Sequence, residues 1–332
     1  MHRERVPGVS GSAAKTMEIK NICVIGGSGF VGRHIVQLLS AQRYQVRVPT
    51  RSRERAKQLI LLPTVDVLEA NVHDEGELAR VTRGMDAVIN LVGVLHDARG
   101  ERGFEQAHVV LTRKVIAACR SNAVARYVHM SALGAGIDGP SKYQRTKGEA
   151  EALVRGSGLE WTIFRPSVVF GRGDRFLNMF AALLRLLPVV VLGSPNARFQ
   201  PVYVEDVAAA FVRSLEDRAA FGQAYDLCGP RTYTLRELVA LAGAITGHHR
   251  PIIGLGDTLS YLQAFALEIL PGRLMTRDNH RSMKVDNVCS QPFPFGIEPV
   301  AVEAVAPSYL GDDFPRARYR AYRDRARSQI ER

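Results

Sequence analysis

Residues Asn21-Ile22-Cys23-Val24-Ile25-Gly26-Gly27-Ser28-Gly29-Phe30-Val31-Gly32-Arg33 constrain this chain more than any other stretch. A short apolar run, too brief for a helix, meets glycines at Gly26, Gly29 and Gly32, and apolar residues at helical spacing follow from Phe30 to Leu39. That order reads as a buried strand, a tight turn and a helix. Gly26 would allow the turn, Gly29 would let a pyrophosphate approach the backbone, and Gly32 would let the helix pack close to the sheet. The unpaired N–H groups that open such a helix attract anions. Gly26, Ser28, Gly29, Phe30, Val31, Gly32 and Arg33 are therefore candidate dinucleotide-binding residues. A glycine triplet alone could be a structural turn; the strand before it and the helix after it give it weight.

Tyr44 to Arg51 alternates as a second strand. An NAD enzyme carries an acidic residue for the ribose 2′-hydroxyl about 20 residues past the glycines. This chain offers Arg51, Ser52 and Arg53 there, with Arg33 beyond the third glycine. Guanidinium groups bind a 2′-phosphate that a carboxylate would repel, which places NADP(H) ahead of NAD(H), with Arg33 and Arg51 as its ligands. Val65 to Ala70 reads as strand three, followed by Asn71 and Val72 where an adenine ring would lie, and Asp74 with Glu77 forms a capping box. Strand four, Asp86 to Val92, ends at Gly93. The crevice of an open parallel sheet lies at such strand ends, so Leu91, Val92 and Gly93 fall near a cofactor ribose. A helix over about 104–120 and a strand from Arg126 to Ser131 continue the alternation. The class is α/β, a doubly wound parallel sheet.

Tyr143 and Lys147 are four apart and share a helix face. A lysine ammonium beside a phenol lowers the phenol pKa and fits it for proton transfer. Ser131, at the neighbouring strand end, could hydrogen-bond a substrate oxygen. The Tyr-x-x-x-Lys pattern alone is usually helix surface; coupled to the glycine motif and the serine it becomes specific.

With these motifs the chain, over about 18–289, resembles the short-chain dehydrogenase/reductase superfamily in its extended or atypical branch, an NAD(P)-binding Rossmann fold. Trp161 to Gly171 looks like that family's sixth strand and the turn beside the nicotinamide, which adds Pro166 and Val168 to the cofactor residues. Pro201 to Val207 looks like its return from the substrate lobe. Val46 to Arg51, Ser141 to Tyr143 and Phe199 to Val202 look most like the atypical members related to the nucleotide-binding accessory subunit of respiratory complex I and its bacterial relatives. The resemblance implies Tyr143 as general acid/base, Lys147 on the nicotinamide ribose and tuning the tyrosine, and Ser131 orienting substrate. Two departures weigh against turnover while sparing cofactor binding. His108 stands where active members often carry a relay asparagine, and Leu91-Val92-Gly93-Val94 is more apolar than the superfamily norm. In the complex I subunit the bound NADPH is thought to be structural.

The implied layout is a disordered leader over 1–16, a dinucleotide-binding core over 17–171, and a smaller, mostly helical substrate lobe over 172–310. Residues 198–228 would return to the core, and 311–332 form a basic tail. The leader lacks the apolar core of a secretory signal, and no stretch is apolar enough to span a bilayer. From Arg316 onward seven arginines face Asp324 and Glu331, within a net charge of +11. Such a tail suits a solvated end, or contact with a membrane surface or protein complex; without a basic aromatic platform, nucleic acid is not expected. The four cysteines read as reduced, mostly buried thiols, and no histidine spacing implies a metal. Phe176 to Leu187 and Leu259 to Leu270, the latter stopped by Pro271-Gly272, are unusually apolar. Packing against the sheet is their first reading; a groove for a quinone or other apolar substrate, or a membrane-facing patch, is the sharper one. The expected function is an NADP(H)-binding reductase-like protein near quinone or isoprenoid chemistry or the respiratory chain. A nucleotide-sugar epimerase or dehydratase and a non-catalytic, cofactor-bound scaffold are the alternatives. The expected location is cytoplasmic, or peripheral to the inner membrane, on the matrix side if eukaryotic.

Overall fold

Seven parallel strands form the centre of the molecule. The computed structural model describes residues 19–98, 100–270 and 274–310; the expected leader, the basic tail and the Pro271-Gly272 stop lie outside them. The strands are β1 (Asn21–Ile25), β2 (Gln45–Thr50), β3 (Val65–Glu69), β4 (Ala87–Asn90), β5 (Arg126–Met130), β6 (Glu160–Pro166) and β7 (Gln223–Leu227). Their order across the sheet is β7-β6-β5-β4-β1-β2-β3. The chain winds outward through β2 and β3, then returns past β1 to add β4, so the direction reverses between β1 and β4. A crevice opens at such a switch point, beyond the C-terminal strand ends.

Each β1 residue chooses a face by alternation. Ile22 and Val24 pack with Ile35, Val36 and Leu39 of helix α1 (Phe30–Ala41), and Cys23 and Ile25 join the opposite layer with Val115 and Cys119. Helix α2 (Glu75–Thr82) is capped by Asp74, which accepts from Glu77 N at 2.8 Å. The expected reciprocal bond of a capping box is replaced: the Glu77 carboxylate turns to Arg80, 2.7 Å away. The long helix over 104–120 opens with a π-helical stretch, Glu105–Val110, before α3 (Leu111–Ser121).

Helix α4 (Lys142–Arg155) starts from a full capping box between Ser141 and Gln144. The C-terminal lobe then builds its own core. Leu177, Phe180 and Leu184 of α5 (Phe176–Leu186) are buried, the last two in a cluster with Leu235, Leu238, Val239 and Ala242. The last four belong to α7 (Leu235–Thr246), so the apolar face of α5 is satisfied by a helix rather than by the sheet. Between these helices, α6 (Val204–Arg213) returns to the main domain and packs Val207 and Phe211 into the α1 layer. Helices α8 (Asp257–Ile269) and α9 (Arg277–Ser282) follow in the lobe, and two short helices, Val302–Val305 and Pro307–Leu310, pack Val302 and Leu310 beside Leu177 of α5. Among the described residues no helix is long and apolar enough to cross a membrane.

One sequence expectation fails here. Cys23 and Cys119 are buried free thiols, whereas Cys228 and Cys289 form a disulfide. Their separation of 61 residues carries no signal in the sequence. The fold brings them together because Gln200 hydrogen-bonds both neighbouring segments, donating to Gly229 O at 2.6 Å and accepting from Cys289 N at 2.9 Å.

Candidate functional site

The crevice is built first by glycine geometry. Gly26 leaves β1 with φ +84°, and a Cβ there would lie 3.3 Å from Leu91 C and Val92 N. Gly32 is tighter: a Cβ would meet Gly26 O at 2.4 Å and Gly27 Cα at 2.6 Å. These two positions clamp the turn between α1 and the end of β4. Gly29 is the N-cap of α1, no side chain caps it, and the first helical bond runs from Arg33 N to Gly29 O at 3.0 Å. The N–H groups of Phe30, Val31 and Gly32 therefore have no intrahelical acceptor. They face the turn where the macrodipole favours an anion. Arg33, just behind, has a buried Nε with no hydrogen-bond partner.

The adenosine end is more open. Arg51 is exposed at the end of β2, with Nη1 3.9 Å from a Glu101 carboxylate oxygen. Asn71 accepts from His73 N at 3.1 Å and donates to Glu101 at 3.1 Å. Val72 packs partly buried against the α3 layer. On the other side of the crevice, Pro166 ends β6 and accepts from Leu133 N at 3.1 Å; Val168 packs against the lobe cluster.

Titratable groups gather around α4. Lys147 is 2% exposed, donates to Met130 O at 3.0 Å, and lies 3.2 Å from where a Gly93 Cβ would be. Burial pulls its ammonium down to about 8, opposed by Glu151 one turn on. Tyr143, one turn before, stacks edge-on against Phe104 and His108. Its phenol is pushed up to about 12 by burial. This reverses the expectation that the lysine lowers it: the Lys147 charge is spent on the Met130 carbonyl, so desolvation decides. Ser131 is buried; its N–H donates to Phe164 O at 2.7 Å, while its hydroxyl has no partner in ordinary hydrogen-bond geometry. That hydroxyl faces Glu151. Burial alone would raise the Glu151 carboxyl; Arg165, aided by Ser131 and Arg155, holds it below the usual range. The described hydrogen bonds do not join Ser131 to Tyr143.

His108 takes its place through the π-helical stretch. Its Nε2 accepts from Val94 N at 3.2 Å, so Nδ1 carries the proton and donates to Thr146 Oγ1 at 2.9 Å. Thr146 in turn donates to a carbonyl of α4. Both ring nitrogens are engaged, and the ring ties the post-β4 loop to α4. Burial, then the charge of Lys147, pushes its pKa down to about 2. His129, buried beneath Lys147, is held down to about 3 by the same two causes, and its Nε2 has no partner. Sequence reasoning flagged His108 without its clamp, and missed Glu151, His129, Asp97 and Glu101. Of these only Glu151 carried a signal, sitting four residues after Lys147.

The residues present thus fit a dinucleotide: unpaired helix N–H groups, an orphaned Arg33 Nε, and a buried lysine at the strand ends. Comparison with known proteins agrees. The chain is 34% identical over 226 residues to the mitochondrial NADH dehydrogenase [ubiquinone] 1 alpha subcomplex subunit 9 of Arabidopsis thaliana, covering 66% of this chain and 56% of that one. With the Mus musculus subunit of the same name it shares 34% over 236 residues, 69% and 62% of the two chains. A ceramide reductase of Caulobacter vibrioides is 30% identical over 58% of this chain and 59% of its own. This chain spans less than two thirds of the length of these relatives. Among solved structures, an NADPH-dependent quinone oxidoreductase of Escherichia coli complexed with NADPH matches with TM-score 0.70 at 20% identity, over 87% of this chain and 99% of that one. At that identity the likeness speaks for the fold, the doubly wound Rossmann type expected above. Residues 26–175 match the NAD(P)H-binding family model. The chain is thus a homologue of these NADH dehydrogenase subunits over 66–69% of its own length, and its core from Gly26 to Arg175 matches the NAD(P)H-binding family.

Proposed function

We propose that this chain is an NADP(H)-binding, reductase-type protein that serves as an accessory component of a membrane-peripheral respiratory complex. The observation that carries the reading is the uncapped start of α1 facing the β4 end, with Lys147 buried beside it. In this reading the pyrophosphate rests on the N–H groups of Phe30, Val31 and Gly32, and Arg51 receives the 2′-phosphate; the Arg33 guanidinium, 3.5 Å from where a Gly173 Cβ would be, lies toward the turn after β6 instead. Asn71 and Val72 border the adenine; Leu91 to Gly93, Pro166 and Val168 border the nicotinamide riboside. The bound cofactor supplies a hydride. Tyr143, a phenol that is neutral at pH 7 and that burial makes less acidic still, is then the group placed to give a proton to the substrate oxygen as the neighbouring carbon takes up the hydride, and Lys147 holds the ribose. The same proposal keeps a core over 17–171, a lobe over 172–310 and a return to the core over 198–228. An apolar substrate such as a quinone suits the lobe, and the open face of α8 suits a subunit of the complex.

A second reading, in which the cofactor only props the fold, is favoured by the engagement of both His108 nitrogens, which removes a proton relay. Mass spectrometry of the protein purified without added cofactor, with NADPH and NADH titration, tests both. Retained NADPH is expected; a ratio of NADPH to NADH affinity that Arg51→Ala leaves unchanged removes the Arg51 assignment. Loss of quinone reduction in Tyr143→Phe with binding intact separates enzyme from scaffold.

A further inference from the structure

The loop leaving β4 reaches both ends of the crevice. Near Tyr143, Asp97 accepts from Lys142 Nζ at 2.7 Å and from Phe104 N at 2.9 Å. Four residues on, Glu101 lies between Asn71 Nδ2, at 3.1 Å, and Arg51 Nη1, at 3.9 Å. His73 senses the same pair: burial lowers its pKa, Glu101 works against that and Arg51 with it. Arg51, Asn71, His73 and Glu101 thus share one surface beyond the ends of β2 and β3, where the proposed function puts the adenosine ribose.

A carboxylate at this place acts differently on the two cofactors. Toward a 2′-phosphate it occupies the guanidinium that would bind it and adds repulsion between like charges. Toward a 2′-hydroxyl it is an acceptor, the role an acidic residue at the end of the second strand plays in NAD enzymes. Here the carboxylate arrives from the β4 loop instead, opposite an arginine at the β2 end. We propose that Glu101 is a specificity-determining residue that penalises NADP(H) relative to NAD(H) and sets the cofactor ratio against the pull of Arg51. The proposal rests on the NADP(H) reading of Arg51. Both side chains are about half exposed, 55% for Arg51 and 46% for Glu101, so the pair is weak and yields to a ligand. It shifts the preference rather than blocking the site.

The test is nicotinamide fluorescence titration of the full, cofactor-free chain with NADPH and, separately, NADH. In Glu101→Gln the Kd for NADPH should fall about fivefold, with NADH unchanged or weaker, and the gain should shrink at high salt. Gln at 101 can still accept from Asn71, and Glu101→Ala, with thermal unfolding of both variants, guards against a folding effect. An equal change for both cofactors, or none, overturns the proposal. Arg51→Ala separates the two levels. If it collapses the NADPH preference while Glu101→Gln moves nothing, Glu101 alone is misassigned; if the ratio ignores Arg51→Ala, the NADP(H) reading itself fails.

Discussion

Helices α1 and α8 are nearly equal in length, 12 and 13 residues, and both are rich in apolar side chains. Helix α1 buries Val31, Gly32, Ile35, Val36, Leu39 and Ser40 between the sheet and α6. Helix α8 buries only Ser260 and Ala264, and leaves Leu262 59% and Ile269 70% exposed, with Leu259 and Phe265 also open. Its small residues face the lobe and its large ones face outward, the inverse of a solvated helix. Leu186, Val191 and Ile253 of the same lobe are exposed too. An apolar stripe therefore marks a face that needs a partner without saying whether the partner lies inside the chain. In α1 the partner is the sheet; in α8 the proposal places it in another subunit.

The comparison breaks if the two helices respond alike to substitution. Gly32→Val should have the largest effect. Its Cβ would run into the backbone of Gly26 and Gly27, which no flexible side chain can relieve by moving aside. A loss of several kcal/mol and of all dinucleotide binding is expected, read by thermal unfolding and fluorescence titration; near-native binding would mean the helix start is not the anion site.

Acid should expose the buried histidines next. His108 and His129 are held at about 2 and about 3 in the fold, against about 6.5 unfolded. Their folded pKa values are depressed, so the unfolded chain binds more protons in that window. Their contribution is complete above about pH 6.5 and is lost as pH falls toward 3, by about 1.4 kcal/mol per pH unit and proton. His108→Gln can keep the Val94 or the Thr146 bond but not titrate. It should lose one proton from the slope of stability against pH, measured by denaturant unfolding between pH 7 and 4.5; an unchanged slope would show that His108 is already charged in the fold.

Within α8 the two faces should differ. Ala264→Glu puts a carboxylate into a fully buried position and should cost about 2–4 kcal/mol. Leu262→Glu should change the stability of the isolated chain by about 0.5 kcal/mol or less, yet remove co-migration with the respiratory complex on native gels. A large loss of stability in Leu262→Glu would mean that the exposed face is packed within the chain.

Several site residues were legible because their chemistry is local. Gly29 and Gly32 serve a turn whose close contacts, to Gly26 and Gly27, lie within seven residues, and Tyr143 and Lys147 share a face by helical spacing alone. The Tyr143 proton affinity was not legible, because it depends on which acceptor takes the Lys147 ammonium, and that acceptor is a strand carbonyl 17 residues away. Nor was the Cys228–Cys289 bond, which joins segments made neighbours only by the return of the chain to Gln200.

The sequence by itself determined the strand–turn–helix start, the parallel α/β alternation and the cofactor class, since each follows from residues within a turn or two of one another. Only the tertiary structure decided the state of the buried lysine and histidines, the carboxylate set against Arg51, and the helix left facing outward. Those depend on desolvation and on charges from distant segments, and burial has no period that a linear pattern can display.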